Sequence, residues 1–134
     1  MVLKEQCIIK FNQANKNGRV YSSDCFNLED PIIQEKLQTG TFFGELGLPQ
    51  ENRSEVDLMK ASHKVISLYK KDDGLYADIE ILDTPSGRIL EATVKNSLGA
   101  FRTRGAGTLI SRDDGNCDVT DYTLYTIDYT DNPA

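Results

Sequence analysis

The sequence predicts an α+β domain dominated by antiparallel sheet, with about six strands and two helices. Three observations lead there. A hairpin signature spans Lys64 to Leu82, helix starts are written at Asp30-Pro31 and Thr84-Pro85, and a long β-prone run, Cys117 to Thr130, closes the chain.

Taken in order, Cys7-Ile8-Ile9-Lys10-Phe11 is short, apolar and β-prone, and predicts a first strand. Asn15-Lys16-Asn17-Gly18 supplies turn chemistry. Asp30 is an N-cap followed by Pro31 at the first helical position, and the helix runs through Ile32, Ile33 and Leu37 to a stop at Gly40. Residues 41–60 mix apolar and breaker residues, and Gln50 to Glu55 predicts an exposed loop. Lys64–Tyr69 and Leu75–Leu82 flank the turn Asp72-Asp73-Gly74. In the second arm Leu75, Ala77, Ile79 and Ile81 alternate with Tyr76, Asp78 and Glu80, which turns one apolar face inward. Thr84-Pro85-Ser86-Gly87 opens a second helix carrying Ile89, Leu90, Ala92 and Val94 and ending near Asn96 to Gly99. Ala100 to Ile110 is a strand whose Gly105 and Gly107 predict a bulge or a close backbone approach. Asp113-Asp114-Gly115-Asn116 turns the chain into the last strand.

A chain of 134 residues is long enough for one core and not two, so residues 1–134 read as a single domain. A net charge of −6, with no basic run longer than Lys70-Lys71, argues against direct nucleic-acid binding. No apolar stretch reaches the roughly 20 residues of a membrane helix, and Met1-Val2-Leu3-Lys4-Glu5-Gln6 lacks the apolar core of a signal peptide. Cys7, Cys25 and Cys117 are odd in number and widely spaced, so they read as packed free thiols in a reducing compartment. Asp72-Asp73 and Asp113-Asp114 each precede glycine and read as turns rather than metal ligands. No cofactor or metal is expected. Tyr122, Tyr125 and Tyr129 read as packing or subunit-contact residues.

Six segments, in order, resemble the prohead core proteases of myovirus-type tailed phages, relatives of the herpesvirus assembly protease. Asn15-Lys16-Asn17-Gly18-Arg19-Val20-Tyr21 is similar to N-x-N-x-R-x-Y, with Ser22 where a proline usually follows. Gly44-Glu45-Leu46-Gly47-Leu48-Pro49 looks like G-E-L-[ND]-H-P, and Ala61-Ser62-His63 like a Ser-His pair. Ile81 to Leu90 is close to I-L-D-T-P-x-G-[RK], and Ala100 to Gly107 lines up with G-V-S-S-R-G-x-G. Ile127 to Ala134 resembles the D-x-V-x-x-P-S end of the protease core. The resemblance implies a β-barrel-like core flanked by the two helices.

It also implies where hydrolysis would reside: a histidine in G-E-L-[ND]-H-P and the first serine of S-S-R-G. Those positions hold Leu48 and Arg102. A leucine has no lone pair to accept a proton, and a guanidinium is a permanent cation with no nucleophilic role. The expectation is a catalytically degenerate member and no enzyme. Thr103, at the second serine, and His63, the one histidine of the chain, are the remaining surrogates. Strand alternation turns Thr103 away from the former base unless a bulge re-aims it. Arg102 has two readings: it points into the former cleft and pairs with a carboxylate such as Glu45, or it projects outward as a solvated or interface arginine. Arg104 and Gly105 match retained positions and read as fold maintenance.

The resemblance further implies that active relatives extend past the core into a removable tail, whereas this chain stops at Asn132-Pro133-Ala134. That favours a permanent component over a transient protease. The expected role is therefore a non-enzymatic virion protein: a head auxiliary or decoration, neck or tail component, present in the virion and, during assembly, in the host cytoplasm. Expected partners are capsid, neck or tail subunits and further copies of itself, without nucleic acid or membrane. The alternatives are an inactive partner or regulator of the assembly protease or scaffold, and a protease with a displaced Thr103/His63 site.

Overall fold

The computed structural model describes residues 1–96 and 98–131. The strands are β1 (Val2–Lys10), β2 (Arg19–Val20), β3 (Phe43–Glu45), β4 (Ala61–Lys71), β5 (Gly74–Ile81), β6 (Ala100–Ser111) and β7 (Cys117–Thr130). The helices are α1 (Pro31–Thr39) and α2 (Pro85–Lys95). The ends of the segment expected at Asn132-Pro133-Ala134 lie outside the described residues.

Both helices begin where local chemistry directs. The Asp30 carboxylate accepts from the Ile32 N–H at 2.8 Å, and the Thr84 hydroxyl accepts from the Gly87 N–H at 2.9 Å. Gly40 closes α1 with φ +69°, the left-handed conformation that a side chain would oppose. Each helix buries one stripe: Ile33 from α1 and Leu90 from α2 enter the core, whereas Ile32 and Ile89 face outward.

The strands form two sheets, ordered β1-β5-β4-β3 and β2-β7-β6. All pairings are antiparallel except the two-residue β2–β7 contact and the isolated Leu46–Tyr129 bridge. Leu75, Ala77, Ile79 and Ile81 are all buried, as their alternation predicts. A bridge at Ala14–Val20 ties the chain after β1 to β2, and the sheets also join along the β3 edge. There the chain after β3 bridges β7 at Leu46–Tyr129, and the Gly47 N–H donates to the Tyr129 carbonyl at 2.6 Å. On the other side, β1 and β6 are both sheet edges with no ladder between them. The result is a barrel-like α+β core with one open seam.

Two strands depart from the expected bounds. β1 starts at Val2 rather than Cys7, because bulges near Glu5 (φ +51°) and between Cys7 and Ile9 break its alternation. β3 lies in the stretch that gave no clear signal, since one of its three residues is a buried glutamate. The predicted irregularity of β6 is present: register shifts fall at Arg104/Gly105 and Ala106/Thr108. A side chain at Gly105 would run into the Thr123 carbonyl and the Tyr122 ring. The thiols are less uniform than expected. Cys25 is buried and donates to the Val119 carbonyl at 3.2 Å, Cys117 is half-buried, but Cys7 is exposed because the bulged β1 turns it outward.

Candidate functional site

The open seam forms a cleft of about 810 Å³ lined by β1, β6 and the loop after β3. Leu48 and Arg102, far apart in the sequence, both line it. So do Thr103 and Tyr122. Burial raises the Tyr122 pKa, with the Thr103 hydroxyl pulling more weakly the other way, so the phenol stays protonated and is no base at neutral pH.

His63 is fully buried in β4 and is not among the cleft-lining residues. Its Nε2 lies 2.7 Å from the Ile127 carbonyl and must be the donor, since a carbonyl only accepts. That tautomer leaves Nδ1 to accept from the Ser62 hydroxyl at 2.7 Å. The ring meets Phe101 edge-on at 5.1 Å. Burial drives its pKa from the usual 6.5 to about 4, the Ile127 hydrogen bond opposing this only in part. Both nitrogens are committed, and no hydrogen bond joins His63 to Thr103. A side chain at Gly44 would strike the His63 ring and the Ile127 carbonyl, so the glycine of the G-E-L motif and the histidine of the Ser-His pair are two halves of one packing contact.

Of the two readings of Arg102, its pairing with Glu45 is not present. Glu45 is buried and already held: Arg53 donates to both its oxygens at 2.7 and 2.8 Å, Arg104 donates to Oε2 at 3.1 Å, and the Asp57 N–H adds a bond at 3.1 Å. Arg104 Nε also lies 3.1 Å from Asp128 Oδ2, and Asp128 Oδ1 accepts from the Glu45 N–H at 2.9 Å. Two carboxylates and two guanidinium groups thus neutralise one another behind the cleft wall. Burial pushes the Glu45 pKa up, but Arg53, the Asp57 N–H and Arg104 outweigh it and hold the carboxyl below its usual range. Asp128 goes the other way, burial raising it to about 6 against the Glu45 N–H and Arg104. Removing one partner from such a network typically costs about 3–5 kcal/mol. Arg104 is therefore a structural residue, as its retention in the S-S-R-G motif implied, while Arg102 lines the cleft with no carboxylate partner among the described residues.

Sequence reasoning missed Arg53 and Asp128. Nothing local marks Arg53, which sits in the Gln50–Glu55 loop. Asp128 had one signal, its place at the D of the D-x-V-x-x-P-S match, and the structure buries it with its neighbours Thr126 to Thr130. The tyrosines pack: Tyr122 lies edge-on to Tyr21 and Phe26, each at 5.5 Å, and Tyr129 edge-on to Phe101 at 5.0 Å. Tyr125 is half-buried, and its carbonyl accepts from Lys36. Asp72-Asp73 and Asp113-Asp114 sit in turns, and among the described residues no cluster of His, Cys, Asp or Glu is arranged to hold a metal. No described helix is long and apolar enough to cross a membrane.

The sequence profile of a family described as prohead core protein serine protease matches residues 2–129. The chain belongs to that family. Among solved structures, the capsid assembly protease of bacteriophage T4 superimposes with a TM-score of 0.79 at 23% identity, over 96% of this chain and 80% of that one. The prohead-protease fold expected from the motifs is thus the observed one. No protein with a curated description matches the chain.

Proposed function

We propose that this member of the prohead protease family is a non-enzymatic structural protein of a phage particle: a head auxiliary or decoration, neck or tail component. The observation that carries the reading is the pair Leu48 and Arg102. They line one cleft and stand where the family motifs place a histidine and a serine. Neither can do that work, because peptide hydrolysis by a hydroxyl needs a base within hydrogen-bond reach of it. His63 offers no substitute, being sealed in the core with both ring nitrogens engaged. Thr103 has the Tyr122 phenol beside it rather than a base. Membership of a capsid-assembly protease family supports capsid, neck or tail subunits as partners, with the protein in the host cytoplasm during assembly and in the virion afterwards.

Mass spectrometry of purified mature particles tests this reading, alongside incubation of the protein with a scaffold-derived peptide. The expected result is the protein at fixed stoichiometry in particles and no cleavage. Absence from particles, or cleavage abolished by Thr103→Ala, overturns it. The cleft itself supports a second reading. It stays open at about 810 Å³, so the protein would serve as an inactive partner that holds scaffold or protease during assembly and then leaves. Co-purification with those proteins early in infection, and loss from finished particles, would mark that role.

A further inference from the structure

The outer half of β6 is exposed along its free edge, while the β7 residues facing it pair with β2 and place Val119 in the second core cluster. Gly107 to Gly115 are exposed without interruption, and β6 is paired on one side only, by β7. Natural edge strands are usually blunted with lysine, proline or an inward charge. Here none of these is present in Gly105-Ala106-Gly107-Thr108-Leu109-Ile110-Ser111, so only the register shifts at Arg104/Gly105 and Ala106/Thr108 interrupt the edge, and it presents Leu109 and Ile110 at 48% and 52% exposure. Being neighbours on a strand, they stand on opposite faces, so no single cover within the chain could hide both. The free edge has a definite inner limit, where Asn52 Nδ2 donates to the Gly105 carbonyl at 2.9 Å.

The charges at the two ends of this edge are complementary. Inward lies the cleft, whose Lys16, Arg19 and Arg102 have no carboxylate partner among the described residues and whose single lining carboxylate is Glu51. Outward lies the tip Asp113-Asp114-Gly115, exposed and acidic. An antiparallel pair of identical edges is self-complementary under a two-fold axis. With Thr108 on the axis, Ala106 of one copy faces Ile110 of the other, and beyond Gly105, where the free edge stops, the partner's Asp113-Asp114 tip continues toward Arg102. The partner strand then passes along β6 toward the cleft mouth, and its tip arrives beside the unpaired cations.

We propose that two copies of this chain join edge to edge through β6, each seating its Asp113-Asp114 tip in the cleft of the other. The interface continues both three-stranded sheets across the dyad and gives Arg102 a carboxylate partner. It stands independently of whether the cleft hydrolyses anything.

Sedimentation equilibrium over a concentration series reads the outcome. The wild-type mass should double as concentration rises, and Ile110→Lys should weaken association at least ~tenfold. Arg102→Asp alone and Asp113→Arg with Asp114→Arg should each weaken it. The combined charge exchange should restore it, which general damage to the fold would not allow. A mass that stays monomeric into the millimolar range overturns the proposal. So does a dimer indifferent to Ile110→Lys and to both charge reversals, which would place the contact elsewhere.

Discussion

His63 and Asp128 are both fully buried and titrate in opposite senses. Burial lowers His63 from 6.5 to about 4, so between those values the unfolded chain binds a proton the folded one refuses. Stability is lost as pH falls through that window, by about 3 kcal/mol for a group this buried. Asp128 rises from 3.8 to about 6; there the folded chain takes the proton first, and stability grows as pH falls. The two largely offset each other between pH 6 and 4 in the native protein. Separating them exposes each. Urea unfolding of Asp128→Asn should lose about 3 kcal/mol between pH 6.5 and 4, while His63→Gln should hold steady or gain. Equal slopes for the two variants would show that neither group is placed as described. Glu45 joins only at lower pH: its depressed pKa contributes stability that is lost as pH falls below the ordinary carboxylate range.

At the scale of elements, α2 is seated by a glycine where helix propensity would prefer almost anything else. A side chain at Gly87 would run into the Leu82 carbonyl, at the point where the chain leaves β5 and turns into the helix. Propensity alone predicts that Gly87→Ala stabilises by up to ~1 kcal/mol. The close approach predicts the reverse, a loss of about 2 kcal/mol as the first turn lifts from the sheet. The sign of the change in denaturant midpoint, with Ser86→Ala as the neighbouring control, decides between them. The same contrast explains what could be read in advance. Both helices, the β4–β5 hairpin and β7 rest on signals within a few residues of one another: caps, turn dipeptides, alternation. β3 rests on Glu45 being buried, and that depends on Arg53 and on Arg104, the latter 59 positions away. The first five residues of β1 were hidden by a bulge. Leu48 and Arg102 were legible through their motifs, but the partners of Glu45 were not, because a carboxylate carries no mark of which guanidinium will find it.

For the molecule as a whole, β7 is the member that makes two sheets one body. Along one edge it pairs with β6 from Ser111 to Ala100. Along the other it meets β2 at its start and the Leu46 bridge at its end. Its side chains Ile127 and Tyr129 enter the larger core cluster with residues of β4 and β5, and Val119 enters the second cluster with Leu75 of β5. The sheets therefore have no stable existence apart, even though the seam between β1 and β6 is open. Calorimetry should show one cooperative transition. Its van't Hoff and calorimetric enthalpies should agree near 90 kcal/mol, roughly what a chain of this length absorbs close to 60 °C. Two resolved transitions, or a van't Hoff value near half the calorimetric one, would mean that the open seam divides the molecule and that β7 does not bind its halves together.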